Sequence, residues 1–174
     1  MGSGRSAGPW RIEPLTGRHG RAAFSCGKPS LDEFLKRYAL QNQEQDISRT
    51  FVAVRPGELA VQGYYTLASG SVVRESLPVE VHKSLPRYPT PVVILGRLAV
   101  AAGHQRQGLG ELLLMDALAR STRLSEEAGV FAVAVRALDE EARTFYLKYG
   151  FAQLADEPLH LFLPTKVIRG LLKP

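Results

Sequence analysis

The chain has 174 residues, which is enough for one domain with a sizeable hydrophobic core. Hydrophobic residues make up 45% of it, and no apolar run reaches the about 20 residues that span a bilayer, so a membrane protein is excluded. Cys26 is the sole cysteine, which excludes an internal disulfide and predicts a reducing compartment, the cytoplasm. The 22 basic against 17 acidic residues favour a polyanionic partner, although a charge of +5 also occurs in proteins without one.

The N-terminal half predicts a helix followed by antiparallel strands. Residues 1–11 are expected to be a flexible N-terminus, and residues 12–174 a single domain. A capping box at 30–33 opens a predicted helix over residues 29–43. One face of this helix is apolar and is formed by Leu31, Phe34, Leu35, Tyr38 and Ala39. After it come a strand at 51–54, a turn at 55–58, one long strand or a pair within 59–73, and a proline-rich loop with a short helix at 74–91.

The C-terminal half alternates strands with helices. A buried strand at 92–100 precedes a helix from Glu111 to about Leu124, whose core stripe is formed by Leu113, Leu114, Ala117, Leu118, Ser121 and Leu124. A strand at 130–135 precedes a helix capped by Asp139 and stopped by Gly150. A hairpin (151–154 with 159–163) and a short helix capped by Thr165 end the chain. This order predicts an α/β fold with a mixed, mostly antiparallel sheet flanked by helices, in which 92–100 and 130–135 form the parallel pair.

The loop at residues 103–110 has the features of an anion site. It joins a buried strand to a helix N-terminus, where backbone N–H groups lack helical partners and the helix dipole is positive. Gly108 and Gly110 allow the backbone to approach a phosphate closely, while Gln105 and Arg106 can close over its outer oxygens. The spacing fits neither the P-loop nor the Rossmann fingerprint. A phosphorylated cofactor is therefore expected here, and a simple helix-capping turn is the alternative.

The run Gln105–Gly110 resembles the pyrophosphate loop of the GNAT superfamily of acyl-CoA-dependent N-acetyltransferases. The run 142–151 resembles the same superfamily's Ala-x-x-Phe-Tyr-x-x-x-Gly-Phe signature, about forty residues later. The resemblance implies acetyl-CoA as co-substrate, no metal, and a splayed parallel strand pair. It also implies the cofactor contacts, which are Leu98, Ala99, Val100, Gln105, Arg106, Gln107, Gly108, Leu109, Gly110, Glu111, Asp139, Ala142 and Phe145.

The resemblance assigns Tyr146 as the catalytic acid that protonates the departing CoA thiolate. A tyrosine phenol has a pKa of about 10, so it still carries its proton at cellular pH and can give it to the departing thiolate, whose thiol has a pKa of about 8.5. A backbone N–H of Leu98, Ala99 or Val100 would stabilise the oxyanion. Many relatives carry asparagine at the position of Asp139. The aspartate can cap the helix as asparagine does, but its side chain has no N–H to donate to the cofactor. The alternative for Tyr146 is an aromatic wedge, with Tyr149 as a core or rim residue.

Further stretches resemble the GNAT toxins of bacterial type II toxin–antitoxin modules, over roughly residues 12–172. They are 24–27, 31–35, 48–51, 63–67, 95–100 and 163–166. This resemblance implies acetylation of the α-amine of aminoacyl-tRNA, a block of translation, a ribbon-helix-helix antitoxin as partner in a repressor, and a homodimer. The expected tRNA-phosphate contacts are Arg97, Arg37, Arg49 and Arg87, with Lys36 favoured as a solvated surface charge.

No general base or metal set emerges from the four scattered histidines, which are His19, His82, His104 and His160. An α-amine has a pKa of about 7.7–8.0, so much of it is neutral at cellular pH and no strong base is needed. Cys26 is favoured as a structural residue over an acyl-carrying nucleophile. Two other functions remain open: a GNAT acetyltransferase of a protein N-terminus or small amine, and a non-catalytic partner that binds CoA or an antitoxin and controls transcription.

Overall fold

The computed structural model describes residues 10–173, so most of the N-terminal segment predicted to be flexible lies outside it. Its strands are β1 (Arg11–Pro14), β2 (Arg49–Val54), β3 (Gly63–Val72), β4 (Thr90–Val100), β5 (Ala132–Arg136), β6 (Ala152–Gln153) and β7 (His160–Pro164). Its α-helices are α1 (Pro29–Glu33), α2 (Ala39–Glu44), α3 (Val79–His82), α4 (Leu109–Leu124), α5 (Glu140–Lys148) and α6 (Thr165–Leu172). A π-helical turn, Phe34–Tyr38, joins α1 to α2, and short 3₁₀ turns lie at Arg74–Ser76 and Ala102–His104. Among the described residues, no helix is long and apolar enough to cross a bilayer.

The strands form a mixed sheet in the order β1-β2-β3-β4-β5-β7-β6. β1/β2, β2/β3, β5/β7 and β6/β7 are antiparallel, whereas β4 and β5 are parallel. The predicted fold class and its parallel pair are therefore confirmed. The register of that pair runs from Val92↔Ala132 to Leu95↔Val135, while β4 itself continues to Val100.

The chain divides into two compact units. The first comprises the described residues up to Leu67 together with Arg97–Ala117, and the second comprises Ala68–Gly96 together with the described residues from Leu118 onward. The first unit has a core of buried side chains from β2, β3, the segment before α1, the α1–α2 segment and the end of β4, including Phe24, Phe34, Leu35, Val52 and Tyr64. The second unit has its own core, which includes Val72, Val92, Ala134, Leu154 and Phe162.

The helical segment of the first unit differs from the prediction in two respects. The predicted capping box does not form, because the helix begins at Pro29, which places Ser30 inside its first turn, and Lys28 provides no side-chain cap. Asp32 accepts a hydrogen bond from the Cys26 N–H (2.9 Å). The π-helical turn, closed by the Ala39 N–H on the Phe34 carbonyl, then shifts the helical register. As a result Tyr38 is exposed, although a regular α-helix would place it on the buried face.

Strand β1 was not predicted, because its four residues are half polar and half apolar and it starts inside the segment expected to be flexible. Pairing with β2, in the register Arg11↔Val54 to Pro14↔Phe51, orders it. Gln43 closes the same region from the α2 side: its amide donates to the Leu15 carbonyl (2.7 Å) and accepts from the Thr50 N–H (3.1 Å). The stretch 59–73 contains one strand, β3, preceded by an irregular segment.

The helices and hairpin of the second unit follow the predicted signals with two exceptions. Asp139 caps α5 by accepting from the Ala142 N–H (2.9 Å), and Gly150 adopts the left-handed φ of +95° that ends the helix. Thr165 is the first residue of α6 rather than its cap, since it is buried and its hydroxyl donates to the Val130 carbonyl (2.7 Å). Leu124, placed on the core stripe of α4 by the sequence, is exposed at the end of that helix.

Candidate active site

The loop between β4 and α4 lies in the first unit and has an anion-binding conformation. Arg106 (φ 61°) and Gly108 (φ 87°) both adopt left-handed backbone angles before α4 begins at Leu109. Left-handed residues that alternate with residues of negative φ can turn neighbouring N–H groups toward one side, which creates a concavity for anions. The first N–H groups of α4 add to it, because they precede the first helical bond, from Leu112 N–H to the Gly108 carbonyl. This geometry suits a pyrophosphate better than a plain capping turn.

A glycine is required at position 108 by backbone conformation and by access. An L-residue at φ 87° would be strained, and a Cβ placed there meets no protein atom within 4 Å. The side of the loop at Gly108 is therefore open to a ligand. Leu109 is buried and anchors the start of α4, whereas Gln107 and Glu111 are exposed.

The Gln105 side chain has backbone partners. Its amide nitrogen donates to the carbonyls of Cys26 (2.8 Å) and Val100 (2.9 Å), so it fastens the loop to the end of β4. A contact between Gln105 and the cofactor stays a prediction. Gln107 likewise donates to the Gly103 carbonyl (3.4 Å), which leaves Arg106 as the loop side chain suited to an outer oxygen.

The C-terminal end of β4 contains the three residues whose backbone N–H groups are predicted to stabilise the oxyanion of acetyl transfer. The register of β4 with β5 stops at Leu95↔Val135, so Leu98, Ala99 and Val100 lie beyond the last parallel pair. Ala99 is buried, and its two neighbours are half-buried. The Ala101 N–H donates to the Gln62 carbonyl (2.8 Å), which fixes the exit of the strand.

Helix α5 of the second unit holds Tyr146 with its ring inside the protein. The residue is 5% exposed and packs edge-to-face against Phe145 (5.3 Å) and Phe151 (5.4 Å). Burial raises the pKa of its phenol above the usual tyrosine value, so the group keeps its proton. Among residues 10–173 the hydroxyl makes no hydrogen bond, which fits a proton donor better than a structural tyrosine. Phe145 and Tyr149 are half-buried at the rim, as expected for Tyr149.

The four candidate tRNA contacts have different surroundings. Arg37 is exposed and lies 3.6 Å from Glu33, and Arg49 pairs with Asp46 at 2.7 Å. Arg87 is exposed in the second unit. Arg97, by contrast, is half-buried and lies over the ring of Phe34, with its Cζ 3.7 Å from the ring centroid. The sequence singled out Arg97 from its position before the active strand end but did not identify Phe34 as its support.

The histidines provide no candidate base. His19 bonds Glu13 (2.7 Å) and is buried, and His82 bonds the Leu77 carbonyl (2.8 Å). His104 stacks edge-on against Trp10, with ring centroids 5.4 Å apart, so it is a structural residue at the start of the loop. Near the β6–β7 turn, ligand atoms of Asp156, Glu157 and His160 lie within 4.8 Å of one another. Here His160 bonds Asp156 (2.7 Å) and Glu157 pairs with Arg136, so the group is satisfied as an ion-pair cluster.

Cys26 is unsuited to nucleophilic catalysis. Its side chain is buried, and burial followed by the hydrogen bond with Asp32 raises the pKa of its thiol to about 11. A thiol needs to form the thiolate to attack a thioester, and this one stays protonated at neutral pH. The thiol donates to the Lys28 carbonyl (3.6 Å), which supports a structural role at the start of α1.

We expect Cys26→Ser to retain acetyl transfer within about twofold of the unmodified rate, because direct attack by the amine requires no acyl-cysteine. The rate is measured with labelled acetyl-CoA, and intact-protein mass spectrometry checks for an acetyl adduct. An acetylated Cys26 that forms and decays at the rate of turnover would contradict direct transfer.

The comparisons with known proteins identify the family of the chain. Residues 46–153 match the acetyltransferase (GNAT) domain family. A Mycobacterium tuberculosis protein named "tRNA-acetylating toxin" is 44% identical over 150 residues, which is 86% of this chain and 89% of that protein. A Sinorhizobium fredii protein named "Probable toxin TacT" is 32% identical over 92% of this chain and 94% of its own length.

Solved structures show the same similarity in three dimensions. A crystal structure of a tyrosine-to-phenylalanine mutant of KacT superposes with a TM-score of 0.90 and 34% identity, covering 94% of this chain and 99% of that one. AtaT complexed with acetyl-methionyl-tRNA gives a TM-score of 0.88 and 33% identity over 94% of this chain and 99% of that chain. AtaTR bound with acetyl-CoA gives 0.84 and 35% over 95% of this chain and 99% of that one. The chain therefore belongs to the GNAT acetyltransferase family, and within it to the tRNA-acetylating toxins.

Proposed function

We propose that this chain transfers the acetyl group of acetyl-CoA to the α-amine of the amino acid on a charged tRNA and so blocks translation. The main support for charged tRNA as the acceptor is the 44% identity to the tRNA-acetylating toxin over 86% of the chain. The AtaT complex with acetyl-methionyl-tRNA supports the same acceptor class. An N-acetylated amino acid has no nucleophilic amine left for peptide-bond formation, which explains how such a reaction stops protein synthesis.

The chemical roles follow from the local geometry of each segment. Left-handed Arg106 and Gly108, with the first N–H groups of α4, hold the pyrophosphate of acetyl-CoA. The backbone of Leu98–Val100 donates to the thioester oxygen as negative charge develops on it. Tyr146 donates its phenolic proton to the sulfur that leaves, and burial keeps that proton in place at cellular pH. The acceptor α-amine, with a pKa of about 7.7–8.0, attacks in its neutral form and needs no strong base.

The partners follow from the same family membership. The structures of AtaT with the C-terminus of the antitoxin AtaR, and of KacTA with DNA, support an antitoxin partner and a complex that binds DNA. We propose in addition that this antitoxin is a ribbon-helix-helix protein, as the resemblance in the sequence implies. We further propose that the toxin works as a homodimer in the cytoplasm, where its charged-tRNA substrate is made, and that residues 12–174 act as a single GNAT domain. Asp139 caps α5 through its carboxylate, so any CoA contact from this position is through the backbone.

The test is transfer of labelled acetyl from acetyl-CoA to a total charged-tRNA pool, with uncharged tRNA, peptides and polyamines as parallel acceptors. Label is expected on charged tRNA only, and mild ester hydrolysis should release it as an N-acetylated amino acid, which also identifies the acceptor. Label on peptides or polyamines alone would contradict the tRNA acceptor and leave the GNAT chemistry in place. Absence of transfer to every acceptor, with acetyl-CoA bound, would favour a non-catalytic regulatory protein.

A further inference from the structure

Arg97 packs against an aromatic ring, whereas the other arginines of the first unit that are predicted to contact tRNA pair with acidic side chains. Its Cζ lies 3.7 Å from the centroid of the Phe34 ring, well inside the about 6 Å limit of a cation–π contact. Among residues 10–173 no carboxylate forms an ion pair with Arg97. Arg37 and Arg49 are compensated by Glu33 and Asp46. The positive charge of Arg97 is thus held in place without being neutralised.

The short distance indicates how the guanidinium is oriented. An N–H pointing at the ring would keep Cζ farther from the centroid, so the planar group lies with its face on Phe34. Stacking uses the face of a guanidinium and leaves the N–H donors around its edge for an acceptor in the same plane. A phosphate accepts two such parallel hydrogen bonds, and this bidentate geometry is where arginine surpasses lysine.

The Phe34 ring is itself fixed by the aromatic core beneath it. It is 4% exposed and stacks on Tyr64, with ring centroids 6.2 Å apart and an interplanar angle of 20°. Tyr64 is fully buried, and its hydroxyl donates to the Leu31 carbonyl (2.7 Å) of α1. Phe24 packs edge-on against the other side of Tyr64 (5.7 Å). A rigid platform of this kind spares Arg97 part of the entropy that a free surface arginine loses on binding.

Phe34, which supports Arg97, is the first residue of the π-helical turn. Its carbonyl accepts the Ala39 N–H, and Phe34 and Leu35 are buried while Tyr38 faces solvent. Single π-turns of this kind are frequent at functional sites. We propose that Phe34 is a positioning residue, which holds the guanidinium of Arg97 with its N–H edge free to bind a phosphate of the acceptor tRNA. This inference rests on the proposed function.

The first experiment measures the salt dependence of tRNA binding. Filter binding of labelled total aminoacyl-tRNA without acetyl-CoA gives Kd between about 50 and 200 mM salt, and each phosphate contact adds nearly one to the slope of log Kd against log salt. Arg97→Gln should lower that slope by about one. Phe34→Leu keeps an apolar side chain of similar size and should weaken binding about fivefold, whereas Phe34→Tyr should restore it. The Kd for acetyl-CoA should stay unchanged in all three variants.

A double-mutant cycle separates positioning from a purely structural role. If Phe34 acts through Arg97, Phe34→Leu should have no further effect on binding in the Arg97→Gln background. Trp10→Leu is the matched control, since it removes another cation–π pair of the same unit, with Arg55 at 4.5 Å from the Trp10 centroid, and should leave the slope unchanged.

An equal loss of binding from Phe34→Leu in both backgrounds would overturn the proposal and make Phe34 structural. An unchanged salt slope in Arg97→Gln would also overturn it. Phe34→Met is the second variant if Phe34→Leu does not fold. Failure of the proposed function has a different signature: wild-type protein would then transfer no acetyl group to charged tRNA, whatever the variants do in the binding assay.

Discussion

Tyr146→Phe is expected to lower kcat for acetyl transfer by about 100-fold or more, because general acid catalysis contributes typically 10²- to 10⁴-fold. The substitution removes one oxygen and leaves the ring in its packing against Phe145 and Phe151, so the fold and the affinity for acetyl-CoA should be retained. The measurement is single-turnover transfer of labelled acetyl to charged tRNA, with the Kd for acetyl-CoA determined by calorimetry. The crystallised tyrosine-to-phenylalanine mutant of KacT indicates that such a change is compatible with this fold.

The matched control is Tyr149→Phe, at the half-buried residue that caps the C-terminus of α5. We expect it to change kcat by less than about threefold, because its phenol has no assigned proton to give. Equal losses in the two variants would contradict the specific role of Tyr146.

The pH dependence provides a second readout for the Tyr146 phenol. Because burial raises its pKa above the usual value of about 10, wild-type kcat should show no loss from deprotonation of Tyr146 below that pH. The raised pKa also affects the free energy of unfolding, because the folded state holds the phenolic proton of Tyr146 more tightly than the unfolded state. The contribution of this group to the free energy of unfolding is therefore complete below about pH 10 and is lost as the pH rises further. A kcat that falls near pH 8 in wild type but not in Tyr146→Phe would contradict the raised pKa.

Gly108→Asp is expected to weaken acetyl-CoA binding by about 30-fold or more. Two like charges about 4 Å apart repel by about 1 kcal/mol in water and about 4 kcal/mol at an effective dielectric constant of 20, and a partly exposed loop lies between these limits. The backbone adds strain, since position 108 has φ 87°. No protein atom lies within 4 Å of a Cβ at this position, so the conflict is with the ligand and the variant should fold.

Two variants separate charge from shape at this loop. Gly108→Asn has nearly the same size and tolerates left-handed backbone angles, so the difference between it and Gly108→Asp reports the charge alone. Gly103→Asp introduces the same charge in open space nearby without a left-handed φ, and it should reduce affinity only slightly. Acetyl-CoA affinity is measured by calorimetry, and thermal unfolding verifies the fold. If Gly108→Asp bound acetyl-CoA as tightly as the wild type, the proposal that this loop binds the pyrophosphate would be contradicted.

Some features of the fold could be predicted from the sequence because they depend on interactions between residues that are close together in the chain. Asp139 and Gly150 mark the two ends of α5. The Asp139 carboxylate accepts a hydrogen bond from the N–H three residues later, and glycine adopts a φ of +95° without steric strain. The apolar runs in β4 and β5 predict a parallel pair, because only strands buried on both faces are continuously hydrophobic. The glycine loop and the later Phe-Tyr motif together indicate an acetyl-CoA enzyme.

Other features depend on partners distant in the chain and could not be predicted from local patterns. Gln105 looks like a phosphate ligand by its place in the motif, yet the carbonyls of Cys26 and Val100 take its amide. The capping box fails because the helix begins at Pro29, before Ser30, and β1 forms because it pairs with β2. The π-turn, after which Tyr38 is exposed, and the contact between Phe34 and Arg97 have no signature in residue spacing.

The hydrophobic period and the helix-end residues predict the fold class, and the resemblance of contiguous motifs to a known family implies the acetyl-CoA chemistry and the toxin branch. Which polar groups already have hydrogen-bond partners, and which charges keep free donors, follows from the folded structure only, as the contrast between Gln105 and Arg97 shows. The physical reason is that hydrogen-bond satisfaction and charge compensation depend on distances across the fold, and residues far apart in sequence set those distances.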